Sequence, residues 1–236
     1  MIKDKKVLAI TLARGGSKRV FKKNIALLNG LPLLQYTVDE VQKSRFIDSY
    51  IVSTEDEDIK KICQVLGVQV HQRPESLSTD STTSADAVID IVQSLMPNYY
   101  DYVVDIPCTN PLKTIEDIDG CIEKLDFTGA DSIVSVVRVW DHHPARAKYI
   151  EDDHLVDFYP EVPESMRQDL KPPCYFRNGS IYATTCKSLL ETGIRLGKDT
   201  RPYVMPEERT INIDEPVDLT LAGILIKQRL AENGKI

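Results

Sequence analysis

Several things are scarce in this chain, and each scarcity narrows what it can be. No apolar run approaches the roughly 20 residues needed to cross a bilayer. The five cysteines, Cys63, Cys108, Cys121, Cys174 and Cys186, are odd in number, scattered, and form no C-x-x-C pair. That pattern offers no zinc signature and fits reduced thiols in a cytoplasmic protein. Positive charge is in the minority, with a formal net charge of -7 over 236 residues. General nucleic-acid binding, which wants a basic face, is therefore not expected, and any anionic ligand must be held by a local cluster. The apolar run Val7 to Ala13 is short, is ended by Arg14 and is followed by no small-residue cleavage site, so it reads as a strand rather than a signal peptide. Internal repeats, low-complexity tracts and linkers are also absent. What remains is an ordinary globular composition, 42% hydrophobic and 28% charged, long enough to bury a core without staples. A single domain over residues 1–236 is the expectation.

The first half alternates between two periods. Continuous or alternating apolar runs at 7–13, 47–54, 67–71, 101–107 and 131–139 read as strands, several of them buried on both faces. Helical spacing appears at 33–44, 56–67, 84–96 and 115–125, with Thr114 placed to cap the last. This alternation predicts a Rossmann-like α/β fold, a mostly parallel sheet with helices on both faces. Ligands in such sheets bind at the carboxyl ends of the strands, which puts Arg14 to Asn24, Ser53–Thr54 and Pro107 to Lys113 along one edge. The pattern breaks after Trp140. Residues 141–177 mix prolines, histidines and charges without helical period and read as an excursion from the sheet. Strands at 179–185 and 210–214 are expected beyond it, with a helix from about 187 to 195. A last helix begins at Pro216, with Val217, Leu221, Ile224 and Leu225 on its apolar face.

The scarce positive charge is gathered in one place. LARGGSKRVFKKN, residues 12–24, carries Arg14, Lys18, Arg19, Lys22 and Lys23 around Gly15 and Gly16. A glycine pair after a buried strand lets backbone N–H groups cradle an anion, and the cations can then neutralise a polyphosphate. The spacing fits neither G-x-x-x-x-G-K-[ST] nor G-x-G-x-x-G, which excludes a P-loop and an ordinary dinucleotide domain. A solvated basic turn is the plainer alternative.

ARGGSKRVFKKN, then NGLPLLQYTV and IVSTEDEDI, resemble the acylneuraminate cytidylyltransferases. QRPESLSTD, TNPL (109–112), DHHPAR (141–146), RQD (167–169), RNGSIYA (177–183) and INIDEPVDL (211–219) extend the likeness, in order, over nearly the whole chain. The resemblance implies transfer of a cytidylyl group from CTP to the anomeric hydroxyl of a keto-sugar acid, with Mg²⁺ as cofactor. It also implies a homodimer in which the 141–177 excursion is the dimerisation arm. By resemblance, Arg14, Lys18 and Lys23 bind the triphosphate with Gly15 and Ser17 of the same loop. Asn24, Arg73 and Ser84 serve the nucleotide, and the backbone at Leu12 and Ala13 lies against the base. Thr109, Asn110, Arg146, Arg167, Gln168 and Asn178 fall at sugar-acid positions, and Arg167 also suits an interface ion pair. Asp214 matches a metal-binding carboxylate and, with Arg14 and Lys23, a catalytic role. A cap on the last helix is its alternative. His142 and His143 are adjacent on an extended segment, point apart and suit hydrogen bonding better than metal binding.

Three departures stand out. Many relatives have Asp-Ile-Asp where this chain has Asn212-Ile213-Asp214, so Asn212 is a weaker metal ligand. Pro107 stands where they have glutamine, and Lys113 where they have arginine. Arg146 replaces a lysine. The alternatives these motivate are a catalytically weak nucleotide-binding homologue acting as a sensor or scaffold, and a synthetase for an eight-carbon acid of the Kdo type.

Overall fold

Val7, Leu8, Ala9 and Ile10 are all fully buried, so the first strand has no solvent-facing side. This is strand β1 (Val7–Leu12), and it lies inside the central sheet of the computed structural model, which describes residues 1–97, 99–232 and 234. Period-two alternation sends its side chains to two different cores. Val7 and Ala9 pack with Ile118, Cys121, Ile122 and Leu125 of helix α4 (Ile115–Thr128). Leu8 and Ile10 pack with Val88, Ile91 and Val92 of α3 (Ser84–Ser94) and Leu189 of α5 (Cys186–Thr192). Helices therefore cover both faces.

The remaining elements follow the chain. After β1 come a two-residue hairpin, β2 (Leu27–Leu28) and β3 (Leu31–Pro32), and then α1 (Leu33–Val41). Next are β4 (Ser49–Thr54), α2 (Glu57–Val65) and β5 (Gln69–Gln72) before α3, and β6 (Tyr102–Asp105) before α4. Beyond α4 lie β7 (Ser132–Val139), the hairpin β8 (Lys148–Glu151) and β9 (His154–Asp157), β10 (Cys174–Thr185), α5, β11 (Thr200–Met205) and α6 (Pro216–Glu232). The seven-stranded sheet has the order β11-β7-β10-β6-β1-β4-β5. The pairs β1–β4, β1–β6, β4–β5 and β11–β7 are parallel, whereas β10 runs antiparallel to both β6 and β7. The chain moves from β1 towards β5 and then returns to β6 on the other side of β1. The loops after β1 and β6 flank that reversal, where α/β sheets hold ligands.

The second half differs from the sequence reading in three ways. Residues 210–214 are not a strand. Ile211 and Ile213 do pack inward, which produces the alternation, but the segment joins no ladder, and Ile213 N–H is tied to Thr109 O at 2.7 Å. The edge strand is β11, whose Pro202 hides it in the sequence. An edge strand tolerates proline because one side of its backbone is unpaired. Finally, α6 buries Ala222, Gly223 and Ile226, while Val217, Leu221 and Ile224 are exposed. Apolar residues surround this helix, and its small ones decide the packing. Asn29 Nδ2 reaches Gly223 O at 2.9 Å, and a Cβ on Gly223 would come within 3.2 Å of Asn29 Oδ1.

The excursion leaves the sheet at Trp140, forms the β8–β9 hairpin and rejoins at Cys174, opposite Val139. His143 is buried and structural. Its Nδ1 accepts from Ala145 N–H at 3.2 Å and its Nε2 reaches Pro172 O at 2.9 Å.

Candidate active site

The loop after β1 is held from below by backbone ties. Ala13 N–H donates to Ser53 O at 2.9 Å, and Gly15 N–H donates to Glu55 Oε1 at 2.7 Å. Gly15 must be glycine, because a Cβ there would sit 2.5 Å from Asp56 Oδ2. Buried Asn24 donates from Nδ2 to Arg14 O at 2.8 Å, and Cys108 Sγ donates to Asn24 Oδ1 at 3.2 Å. Burial pushes the Cys108 thiol up to about 11, so it stays a neutral donor.

Two cavities open beside this loop. One, of about 240 Å³, is lined by Leu12, Arg14, Arg73, Thr79, Asp80 and Ser84 among others. The other, of about 330 Å³, is lined by Leu12, Arg14, Ser17, Lys18, Lys23, Asn24, Thr109 and Asp214 with neighbouring residues. Leu12 and Arg14 belong to both, so the two form one cleft. Arg73 is buried in the first. Its Nε donates to Ser53 Oγ at 3.1 Å and its NH2 to Ser53 O at 3.0 Å. NH1 is left without a protein partner among the described residues. Burial lowers the Arg73 pKa, and the nearby Glu55 and Asp105 carboxylates act against that. Ser84 opens α3 just after Thr83, whose hydroxyl forms a capping box with Asp86.

The second cavity ends in a clamp on Asp214. Lys23 Nζ donates to Asp214 Oδ1 and to Ile213 O, both at 2.8 Å, while Asn212 Nδ2 donates to Asp214 Oδ2 at 2.6 Å. The helix cap comes from elsewhere: Asp218 Oδ2 accepts from Asp214 N–H at 2.9 Å and from Glu215 N–H at 2.8 Å. Asp214 is therefore not the cap, and its carboxylate faces the cleft.

The loop after β6 braces both walls. Thr109 lines the cleft, and its carbonyl takes Ile213 N–H. Lys113 is fully buried and donates to Thr37 Oγ1 at 2.8 Å, Pro107 O at 2.8 Å and Asn110 O at 2.5 Å. Burial lowers this ammonium to about 8. Asn110 is also buried, and neither side-chain polar atom has a partner among the described residues. Asp80, the hold of Ser53 on Arg73 and the bracing roles of Cys108 and Lys113 escaped the sequence reading, which had placed Ser53 only on the ligand edge. For Asp80 the available signal was its place at the end of QRPESLSTD.

The other sugar-acid candidates lie elsewhere. Arg146 NH1 pairs with Asp141 at 3.5 Å, and Arg167 Nε with the same carboxylate at 3.4 Å. Arg167 borders a separate cavity of about 620 Å³ with Arg138, Trp140 and Glu207. Gln168 is exposed on the excursion, its Nε2 3.4 Å from Met166 Sδ. Asn178 is buried at the irregularity in β10, where its Oδ1 accepts from Ser135 Oγ at 2.6 Å. Its Nδ2 lies 3.1 Å from Met205 Sδ, so this side chain braces the sheet and does not reach the cleft.

Comparison with known proteins agrees with this geometry. Residues 8–155 match the cytidylyltransferase family model. The chain is 31% identical over 230 residues to N-acylneuraminate cytidylyltransferase A of Danio rerio, covering 93% of this chain and 50% of that protein. It thus spans about half the length of that relative. It is 30% identical over 231 residues to the CMP-N,N'-diacetyllegionaminic acid synthase of Legionella pneumophila, covering 94% of this chain and 97% of that one. In fold it resembles a CMP-2-keto-3-deoxy-manno-octonic acid synthetase solved with CTP, at a TM-score of 0.73 and 15% identity over 95% of this chain and all of that one. With the basic loop, the buried arginine and the clamped carboxylate on one cleft, this chain belongs to the cytidylyltransferase family.

Proposed function

We propose that the protein transfers a cytidylyl group from CTP to the anomeric hydroxyl of a sialic-acid-like nonulosonic acid and releases pyrophosphate. The observation that carries this reading is the cleft itself, in which Arg14, Lys18 and Lys23 converge beside Asp214 while Arg73 closes the adjoining cavity. In the reaction the hydroxyl oxygen bonds to the α-phosphorus, the bond to the bridging oxygen of the β-phosphate breaks, and the hydroxyl proton leaves. Charge grows on the phosphoryl oxygens and on the departing pyrophosphate. Preorganised cations stabilise it without reorganisation at the moment of reaction. Arg73 NH1 would donate to a base carbonyl, Nε and NH2 each already bonding Ser53.

Mg²⁺ fits the donor set in one specific way. Among the described residues no group of three or more His, Cys, Asp or Glu could form an all-protein cage. Asp214 would supply one hard oxygen ligand at the cleft, and the triphosphate others, a division that suits Mg²⁺. Bound there, the ion would neutralise part of the phosphate charge. Asn212 spends its amide N–H on Asp214 and so orients the ligand rather than adding charge.

The acceptor site belongs to the same proposal. Arg146, Arg167 and Gln168 do not line the cleft of their own chain. They sit on an excursion whose apolar surface is open, with Ile150 and Leu155 each 75% exposed and Phe158, Tyr159 and Met166 exposed beside them. A homodimer would cover that surface and bring the excursion to a partner's cleft. The need for CTP fits a cytoplasmic setting.

The test is pyrophosphate release from CTP and Mg²⁺ with a panel of N-acetylneuraminic, legionaminic, pseudaminic and Kdo acids. Release with a nonulosonic acid supports the reading and names the acceptor. Release with Kdo alone moves the assignment to an eight-carbon acid. No release despite CTP binding refutes the transferase reading.

A further inference from the structure

Two cations of the basic loop share one carboxylate. Asp80 Oδ1 takes Arg14 NH1 at 3.0 Å, and Asp80 Oδ2 takes Lys18 Nζ at 2.5 Å. Arg14 NH1 also donates to the neighbouring Thr79 O at 3.1 Å. The segment before α3 thus reaches across to the loop after β1 at Arg14, the residue common to both halves of the cleft. The turn that presents Asp80 holds its own shape. Thr79 Oγ1 lies 3.0 Å from Ser81 Oγ and 2.9 Å from Thr82 Oγ1, and Thr82 Oγ1 donates to Ser76 O at 3.2 Å. Asp80 is therefore placed against the cations by its own segment and is not merely drawn there by them.

We propose that Asp80 is a counter-ion latch of the nucleotide site, occupying Arg14 and Lys18 in the free protein and surrendering them to the triphosphate. The inference rests on the reading of this cleft as a polyphosphate site. The pairs are solvent-exposed, with side chains of Arg14, Lys18 and Asp80 at 38%, 78% and 56%, so they are weak and exchangeable. A phosphate chain carries more charge and more acceptor oxygens than one carboxylate, and it wins the exchange. The latch lowers affinity for every polyanion by a common factor, including the product pyrophosphate. When the product loosens, Asp80 returns to both cations and opposes rebinding.

The experiment compares wild type with Asp80→Asn by calorimetric titration using three probes: inorganic tripolyphosphate, CTP and the uncharged nucleoside cytidine. Two exposed ion pairs correspond to a gain of about twofold to thirtyfold for tripolyphosphate and CTP. Cytidine affinity should not change, because its binding exchanges no charge. The variant should also show a steeper loss of tripolyphosphate affinity with salt, since solution counter-ions replace Asp80 on the two cations. Unchanged or weaker polyphosphate binding overturns the latch, as does an equal gain for cytidine, which would make Asp80 a determinant of the base cavity. If the turn alters in Asp80→Asn, Asp80→Ser provides the same charge removal with a residue common in turns. Tripolyphosphate tests the latch whatever the base. Tighter tripolyphosphate binding in a protein that releases pyrophosphate from UTP as fast as from CTP would uphold the latch and refute the cytidylyl assignment.

Discussion

Replacing Lys23 with alanine separates the charge that serves the fold from the charge that serves the reaction. In the structure Lys23 makes two contacts, to Ile213 O and Asp214 Oδ1, both at 2.8 Å. Its partner carboxylate is half exposed, so the pair contributes at most about 1 kcal/mol to stability. For a chain of this size that is a fall in Tm of about 2–4 °C. The catalytic loss should be far larger. Removing one preorganised donor from a developing oxyanion costs about 10²–10³ in rate, or roughly 2.7–4 kcal/mol. The assay is single-turnover pyrophosphate release at saturating CTP, with the thermal melt run alongside. The expected result is a rate reduced by at least a hundredfold, KM for CTP raised by less than about tenfold, and a nearly unchanged melt. A rate within about threefold of wild type would refute the placement of Lys23 on the reacting phosphate. A fall in Tm of about 10 °C would show instead that Lys23 is a packing residue, by the same scale.

Other outcomes follow from the same geometry. Burial holds Lys113 near pH 8 in the folded state against 10.5 in the unfolded chain. Between those values the unfolded state binds the extra proton, so wild-type stability should rise with pH relative to Lys113→Met, by an amount of order 3 kcal/mol. Parallel denaturation curves for the two proteins from pH 7 to pH 10 would contradict this. Asn212→Asp replaces a donor 2.6 Å from Asp214 Oδ2 with a second carboxylate. Tm without divalent ions should fall by a few degrees, and the Mg²⁺ concentration for half-maximal rate should also fall. An unchanged requirement would place residue 212 away from the metal. Ile150→Asp on the exposed hairpin should shift the molecular mass in light scattering towards a monomer if that surface is the dimer contact, and an unchanged mass would exclude it.

The first half of the fold was legible because each element there carries its own period. Strand β1 is apolar but for Thr11 and buried up to Leu12, α3 and α4 bring threonine caps, and Gly15 marks the close approach to Asp56. The second half was less legible because its decisive features are relational. Pro202 argues against a strand until β11 is known to be an edge. The buried face of α6 depends on Asn29 meeting Gly223, and Ile211 and Ile213 alternate without a ladder. The basic loop likewise stood out in the sequence, but its bracing did not. Lys113 finds Thr37 across 76 positions and Arg14 finds Thr79 across 65, and no local pattern announces either contact. Asn178 is a different case. A motif placed it beside the acceptor, and the fold uses its amide to hold a bulge.

Leu12 and Arg14 line both cavities, so on the proposed reading the end of β1 and the residues just after it would serve two recognition tasks with one short lever. On the proposed reading, a base that seats poorly against Leu12 would also displace Arg14, two residues on, from the phosphates. Discrimination between nucleotides should then be written into the rate of the chemical step more than into binding strength. A wrong nucleoside triphosphate would occupy the cleft, compete with CTP and turn over slowly, behaving as an inhibitor whose potency exceeds its usefulness as a substrate.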